Sequence, residues 1–149
     1  AMRAILQRVT SGSVTVDNEV VARIGLGYVI LLGIGPEDTP AIARELAEKT
    51  AYLRVFEDDA GKMNRSLLDE NGEAIVVSQF TLYADTSRGR RPSFINAAKP
   101  ELAEPLVEVF AARLREFGIA TQQGIFGAHM VVDIRNHGPV TILLELPQT

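Results

Sequence analysis

Apolar and polar positions alternate through residues 3–9 and again through 13–16, where Val14 and Val16 interleave with Ser13 and Thr15. Period-two alternation predicts two strands with one buried face. Asp17-Asn18 is a turn signal, and residues 20–24 return as the second arm of a hairpin. After Gly25 and Gly27, residues 28–34 form an unbroken apolar run, which suits a strand buried on both faces. The period then lengthens. Thr39 is placed to cap a helix with Pro40 at its first position, and Ile42, Leu46, Thr50 and Leu53 recur at helical spacing beside Ala43 and Ala47. This helix is expected to end near Phe56. Residues 57–64 are polar, contain Gly61 and read as a loop, and Glu70-Asn71-Gly72 is a turn. Residues 74–77 begin a buried strand that runs on into Ser78-Gln79-Phe80. Residues 84–99 are loop-like. Pro100 opens a second helix, with Leu102, Leu106, Val109, Phe110, Leu114 and Phe117 on one side and Gly118 just past its end. Residues 119–126 give a strand and then a turn at Gly124 and Gly127. Residues 130–135 and 140–145 are the closing strands. The pattern predicts a β-rich α/β fold: a mainly antiparallel sheet curled into a barrel with two flanking helices, in a single domain over residues 1–149.

Composition narrows the function more than the fold. The chain has 149 residues, 46% of them hydrophobic and 23% charged, and a net charge of -4. With no cysteine there is no disulfide, thiol nucleophile or thiolate metal site. Ala1 reads as an added residue ahead of a natural start at Met2. There is no signal peptide and no apolar run long enough to span a bilayer, so a cytoplasmic protein without membrane contact is expected. A protein that wraps a nucleic-acid backbone is usually basic, so the acidic balance argues against a broad nucleic-acid interface. A small one is permitted, because Arg88, Arg90 and Arg91 crowd into Ser87-Arg88-Gly89-Arg90-Arg91-Pro92-Ser93. The plain alternative for that cluster is a solvated loop.

Two segments interrupt apolar strands with small polar groups: Ser78-Gln79-Phe80-Thr81-Leu82-Tyr83 and Asn136-His137-Gly138-Pro139-Val140-Thr141. Buried hydroxyls and amides cost free energy unless hydrogen-bonded, so a plain core strand gains nothing from them. Together they suggest one site built from two strand ends. The ordinary reading of Gly138-Pro139 is a hairpin turn. The sharper reading is a cis peptide bond, which turns both carbonyls the same way as a pair of acceptors. Ser78 and Thr81 are weak nucleophiles without a base. The chain has only two histidines, His129 and His137, and no Gly-x-Ser-x-Gly elbow, so a Ser-His-Asp triad is not expected. No metal site is expected either, since neither histidine has a partner at ligand spacing. Gly25-Leu26-Gly27 and Gly33-Ile34-Gly35 lack the rest of a dinucleotide or phosphate-loop fingerprint and read as turns. No cofactor is implied.

Four motifs add a resemblance: Ser78-Gln79-Phe80-Thr81-Leu82, Gly89-Arg90-Arg91-Pro92-Ser93-Phe94, Gly124-Ile125-Phe126-Gly127-Ala128 and Asn136-His137-Gly138-Pro139-Val140-Thr141. With Gln7-Arg8-Val9 near the start, the chain resembles the D-aminoacyl-tRNA deacylase family, also called D-tyrosyl-tRNA deacylase, over nearly its whole length. It departs in carrying His137 where the family more often has Asp. The resemblance implies hydrolysis of the ester joining a D-amino acid, or mischarged glycine, to the terminal adenosine of tRNA, as chiral proofreading in translation. It implies a β-barrel with flanking helices working as a homodimer, with a cis Gly-Pro from one subunit entering the active site of the other. Carried over, Ser78, Gln79, Phe80 and Thr81 form the catalytic pocket. Gly138 and Pro139, with Asn136, Phe126 and Met130, bind substrate and select its chirality, and Arg88, Arg90 and Arg91 contact RNA at the acceptor end. The alternative is a non-catalytic module that binds the tRNA acceptor end. A small-molecule esterase and a purely structural oligomer are weaker rivals.

Overall fold

The computed structural model describes residues 1–148. Its elements in chain order are β1 (Met2–Val16), β2 (Glu19–Ile24), β3 (Gly27–Gly33), α1 (Pro40–Tyr52), β4 (Arg54–Glu57), β5 (Met63–Ser66), β6 (Glu73–Ser78), a 3-10 turn (Phe80–Tyr83), α2 (Pro100–Glu116), β7 (Thr121–Gln123) and β8 (Val131–Leu146). The main sheet runs β2-β1-β3-β6-β7, and β8 also pairs with β1, so the sheet curls toward a barrel. Every pairing of β1 is antiparallel. β6 lies parallel to both β3 and β7. The antiparallel expectation therefore holds around β1 and gives way where the helices cross. A helix between two strands returns the chain to the same end of the sheet, which makes them neighbours in parallel.

The alternation in β3 and β6 divides the core. Tyr28, Ile30, Leu32, Ala74 and Val76 pack with α1 and α2, through Leu46, Ala47, Leu106, Phe110 and Leu114. Val29, Ile75 and Val77 point the other way and meet Val9, Val14, Ala22 and Ile24 inside the curl. The Thr39 cap forms as expected, its hydroxyl accepting from the Ile42 N–H at 3.3 Å. Asp17 and Asn18 both take positive φ in the β1–β2 turn.

Four expectations are corrected. The two alternating stretches before Asp17 are one strand, because Gly12 admits Val29 where a Cβ would sit 2.6 Å from it. α1 stops at Tyr52 rather than Phe56, since Arg54–Glu57 pairs with Met63–Ser66 across what reads as loop. β6 ends at Ser78, and Phe80–Tyr83 is a 3-10 turn instead of strand. The closing strands are a single β8. Asn136 through Pro139 is no hairpin turn but a bulge: residues on both sides of it pair with β1, whose register shifts between Gln7 and Val9 and between Val9 and Ser11. The Gly138-Pro139 peptide bond is cis, as is Leu146-Pro147.

Candidate active site

The end of β6 is fixed by its surroundings. The Gln79 N–H donates to the Leu32 carbonyl at 2.8 Å, extending the strand ladder by one bond before the chain turns. Arg3 of β1 donates to the Leu82 carbonyl at 2.7 Å and to Glu145 at 2.6 Å, while its guanidinium lies 4.8 Å over the Tyr83 ring. The buried Tyr83 hydroxyl donates to the Gly33 carbonyl at 3.1 Å and also reaches the Ala1 carbonyl. Burial pushes that phenol's pKa well up, so it stays a neutral donor. A Cβ on Gly33 would meet the Tyr83 ring at 2.8 Å, so only glycine lets the turn seat this closely. The turn is thus held by side chains from β1 and by the backbone of β3.

Below it lies a pocket of about 350 Å³ lined by Ile34, Ser78, Phe80, Ala98, Pro100, Ala103, Phe126, Gly127, Ala128 and Met130. Its wall is mostly apolar, and Ser78 supplies the only hydroxyl. The Gln79 amide donates to the Thr81 hydroxyl at 3.0 Å. Among the described residues neither the Ser78 nor the Thr81 hydroxyl has a histidine or carboxylate hydrogen-bonded to it, so no base among them is in position to activate either. Phe80 and Thr81 open a helical turn, and such leading N–H groups have no carbonyl within the turn to bond. Phe80 is 55% exposed and meets Phe94 edge-on, ring centroids 5.1 Å apart.

The second segment is built differently. Gly138 has a φ of 125°, and a Cβ there would lie 2.8 Å from Val140 Cγ2 and 3.0 Å from an Arg8 nitrogen. Arg8 is 2% exposed and donates to the His137 carbonyl at 3.0 Å and the Val55 carbonyl at 2.7 Å. Glu57 accepts from the two terminal guanidinium nitrogens, at 2.7 and 3.2 Å. This bond holds the Glu57 carboxyl below its ordinary value. Asn136 donates to Gln7 Oε1 at 3.0 Å and accepts weakly from the Val140 N–H at 3.4 Å, and the Thr141 hydroxyl donates to Gln7 Oε1 at 2.6 Å. The bulge is therefore braced by β1 and β4, with its tip exposed.

The sequence-predicted residues fall into three groups. Ser78, Phe80, Phe126 and Met130 share the pocket, with Gln79 and Thr81 bonded to each other beside it. Asn136, Gly138 and Pro139 form the bulge and line no part of that pocket. Arg88, Arg90 and Arg91 lie exposed on a loop pinned by a two-bond bridge between Asp85 and Ser93. None of these arginines forms an ion pair among the described residues. Sequence reasoning missed Arg3, Glu57 and Tyr83, and gave Arg8 no role. Arg8 carried a signal: it falls in phase with Met2, Ala4 and Leu6, on the buried face of β1. Among the described residues no group of three or more His, Cys, Asp or Glu is disposed to hold a metal, and no helix is long and apolar enough to cross a membrane.

The profile of the family described as D-Tyr-tRNA(Tyr) deacylase matches residues 5–145. The chain belongs to this family. It is 65% identical to the D-aminoacyl-tRNA deacylase of Roseiflexus sp. strain RS-1, over 97% of this chain and 93% of that one. It is 55% identical to the D-aminoacyl-tRNA deacylase of Deinococcus deserti, over 98% of this chain and all (100%) of the relative. Among solved structures, a protein titled c-Myc DNA Unwinding Element Binding Protein superposes with a TM-score of 0.91 at 43% identity, covering 98% of this chain and 99% of the other. A probable eukaryotic D-amino acid tRNA deacylase superposes with a TM-score of 0.82 at 18% identity, covering 96% and 98%, and supports the fold alone.

Proposed function

We propose that this protein hydrolyses the ester of D-aminoacyl-tRNA, releasing the free amino acid and tRNA, and that it clears mischarged glycyl-tRNA by the same route. Membership of a deacylase family over almost the whole chain carries the reading, and the pocket is consistent with it. A cavity of about 350 Å³ takes an aminoacyl group and the ester beside it. The Phe80 and Thr81 N–H groups face the developing oxyanion when the ester carbonyl is attacked. With no base bonded to Ser78 or Thr81, water is the nucleophile, and the tRNA's neighbouring 2′-hydroxyl is the group available to help take its proton. The carbonyl carbon gains the water oxygen, the bond to the ribose oxygen breaks, and the proton passes to that oxygen.

Chirality enters through the bulge. Gly138 and Pro139 carbonyls of a partner copy receive the α-ammonium, with Asn136 bracing the arm. Once ammonium and ester are fixed, a D side chain leaves the pocket, an L side chain meets the arm, and glycine has nothing to exclude. Rejection by collision is indifferent to which side chain is offered. This requires a homodimer with a site shared between subunits. It is supported by a braced arm with an exposed tip that lines no part of the pocket of about 350 Å³ in its own chain. Arg88, Arg90 and Arg91 lie on the RNA side, and tRNA as substrate fits work in the cytoplasm. The test is release of amino acid from D-tyrosyl-, L-tyrosyl- and glycyl-tRNA by the purified protein. The reading expects the first and third to be cleaved and the second spared. Tight binding of uncharged tRNA without turnover would instead favour a non-catalytic acceptor-end module.

A further inference from the structure

The pocket takes the aminoacyl group and its ester, but a charged tRNA presents that ester on the last of several unpaired nucleotides. We propose that Phe94 and Ile95, with the cationic loop beside them, form a track for the nucleotides immediately preceding the terminal adenosine. This inference rests on the deacylase reading and extends it to residues outside the pocket.

Ile95 is 81% exposed, more than any other large apolar side chain described in the molecule. A lone exposed apolar residue needs no explanation, but Ile95 is not alone. Phe94 precedes it and presents its ring edge-on to the half-exposed Phe80 at the pocket mouth. Neither Phe94 nor Ile95 lines the pocket itself. The segment is held at both ends: the Asp85–Ser93 bridge closes with bonds of 2.7 and 2.9 Å, and the Ala98 N–H donates to the Ile34 carbonyl at 2.9 Å. Ile34 and Ala98 are pocket wall, so the platform is fixed against the site. The loop that the bridge closes carries Arg88, Arg90 and Arg91, which form no ion pair among the described residues, and Lys99 is exposed just beyond. Its one carboxylate, Asp85, is engaged by the Ser87 N–H at 3.0 Å.

An aromatic ring in contact with the pocket mouth, an exposed apolar neighbour and a cationic loop are the chemistry that holds single-stranded RNA. A base stacks on the aromatic ring, the apolar neighbour covers its edge, and cations follow the phosphates. It also reconciles a net charge of -4 with an RNA substrate, since only a few nucleotides are engaged.

The experiment compares D-tyrosyl-tRNA with D-tyrosyl-adenosine, which lacks the preceding nucleotides, for the wild-type protein, Phe94→Ser and Ile95→Ser. Uncharged tRNA carrying a fluorescent cytidine analogue at the penultimate position reports stacking without turnover. Loss of one stacked base corresponds to about a tenfold rise in KM. The expected result is such a rise for tRNA in Phe94→Ser and a smaller one in Ile95→Ser, with the adenosine ester unaffected and fluorescence quenching by the wild-type protein lost in both variants. No rise for tRNA, or an equal rise for both substrates, overturns the proposal. If the wild-type protein cleaves neither substrate, the deacylase reading fails, and the quenching alone then decides the track: equal quenching by wild type and variants, or none by any of them, overturns it.

Discussion

The Ser78–Tyr83 turn and the 136–139 bulge are both polar interruptions of a strand, yet they are built for opposite tasks. The turn closes inward over an apolar pocket, locked by Arg3, Tyr83 and a glycine that leaves no gap. The bulge is held from one side by a buried arginine, with His137, Gly138 and Pro139 exposed at its tip. A pocket binds what fits it, whereas the proposed arm both holds the ammonium and excludes the L side chain of a substrate seated in a partner's pocket. In the proposed function they are the two halves of a site shared between two copies of the chain.

The largest expected effect is at the arm. Gly138→Val places a Cβ against Val140 and Arg8 in a backbone region that L side chains rarely adopt. Displacing the ammonium acceptors by about 1 Å costs on the order of 10²-fold in turnover of D-aminoacyl-tRNA, and the ratio of D to L turnover should fall with it. Steady-state kinetics on both enantiomers checks this. Blocking the pocket tests the other half. Ala128→Phe, which fills part of the cavity, should also lower kcat/KM about 10²-fold, but with the D-to-L ratio of the residual activity preserved. If both variants shift selectivity equally, the division of labour between the regions is wrong.

Acid should separate the two by pH. Glu57 has a folded pKa below its ordinary value of 4.5, chiefly because Arg8 donates to it. A depressed carboxylate stabilises the fold above the unfolded value and loses that contribution as pH falls through the folded one. Melting temperature should therefore drop below about pH 4.5 more steeply in the wild-type protein than in Glu57→Gln, which has no such group to protonate. Parallel curves would show that the pair does not brace the arm. The smallest effect belongs to Thr81. Removal of a true acid–base group costs about 10²–10⁴-fold. Thr81→Ala should lose less than about tenfold, because its hydroxyl only accepts from Gln79. Near-complete loss would return Thr81 to the role of nucleophile.

How far the sequence revealed this architecture depended on range. The Thr39 cap, the Asp17-Asn18 turn and the helical stripes are local, and they formed where the residues indicated. The segment from Ser78 to Thr81 drew notice because small polar groups in an apolar strand have a cost that invites a reason, whereas Phe126 and Met130 came only from the family resemblance. What escaped was set by distant partners. Phe80–Tyr83 leaves the strand where Arg3 and Gly33 from two other strands hold the turn. β5 is largely polar, and it is a strand only because β4 pairs with it. The bulge looked like a turn because its continuity depends on β1 running alongside both flanks. Glu57 is an unremarkable surface acid until Arg8 reaches it from β1.

The shared site is tested most directly by mixing the two damaged halves. Gly138→Val and Ala128→Phe are each expected to lose about 10²-fold for a different reason, but a dimer containing one of each pairs an intact pocket with an intact arm once. Random exchange makes about half of the dimers mixed, each with one of two sites working, so the mixture should recover about a quarter of wild-type D-aminoacyl-tRNA turnover. A mixture no more active than its parents, with subunit exchange verified by mass, would contradict an arm that acts across the dimer.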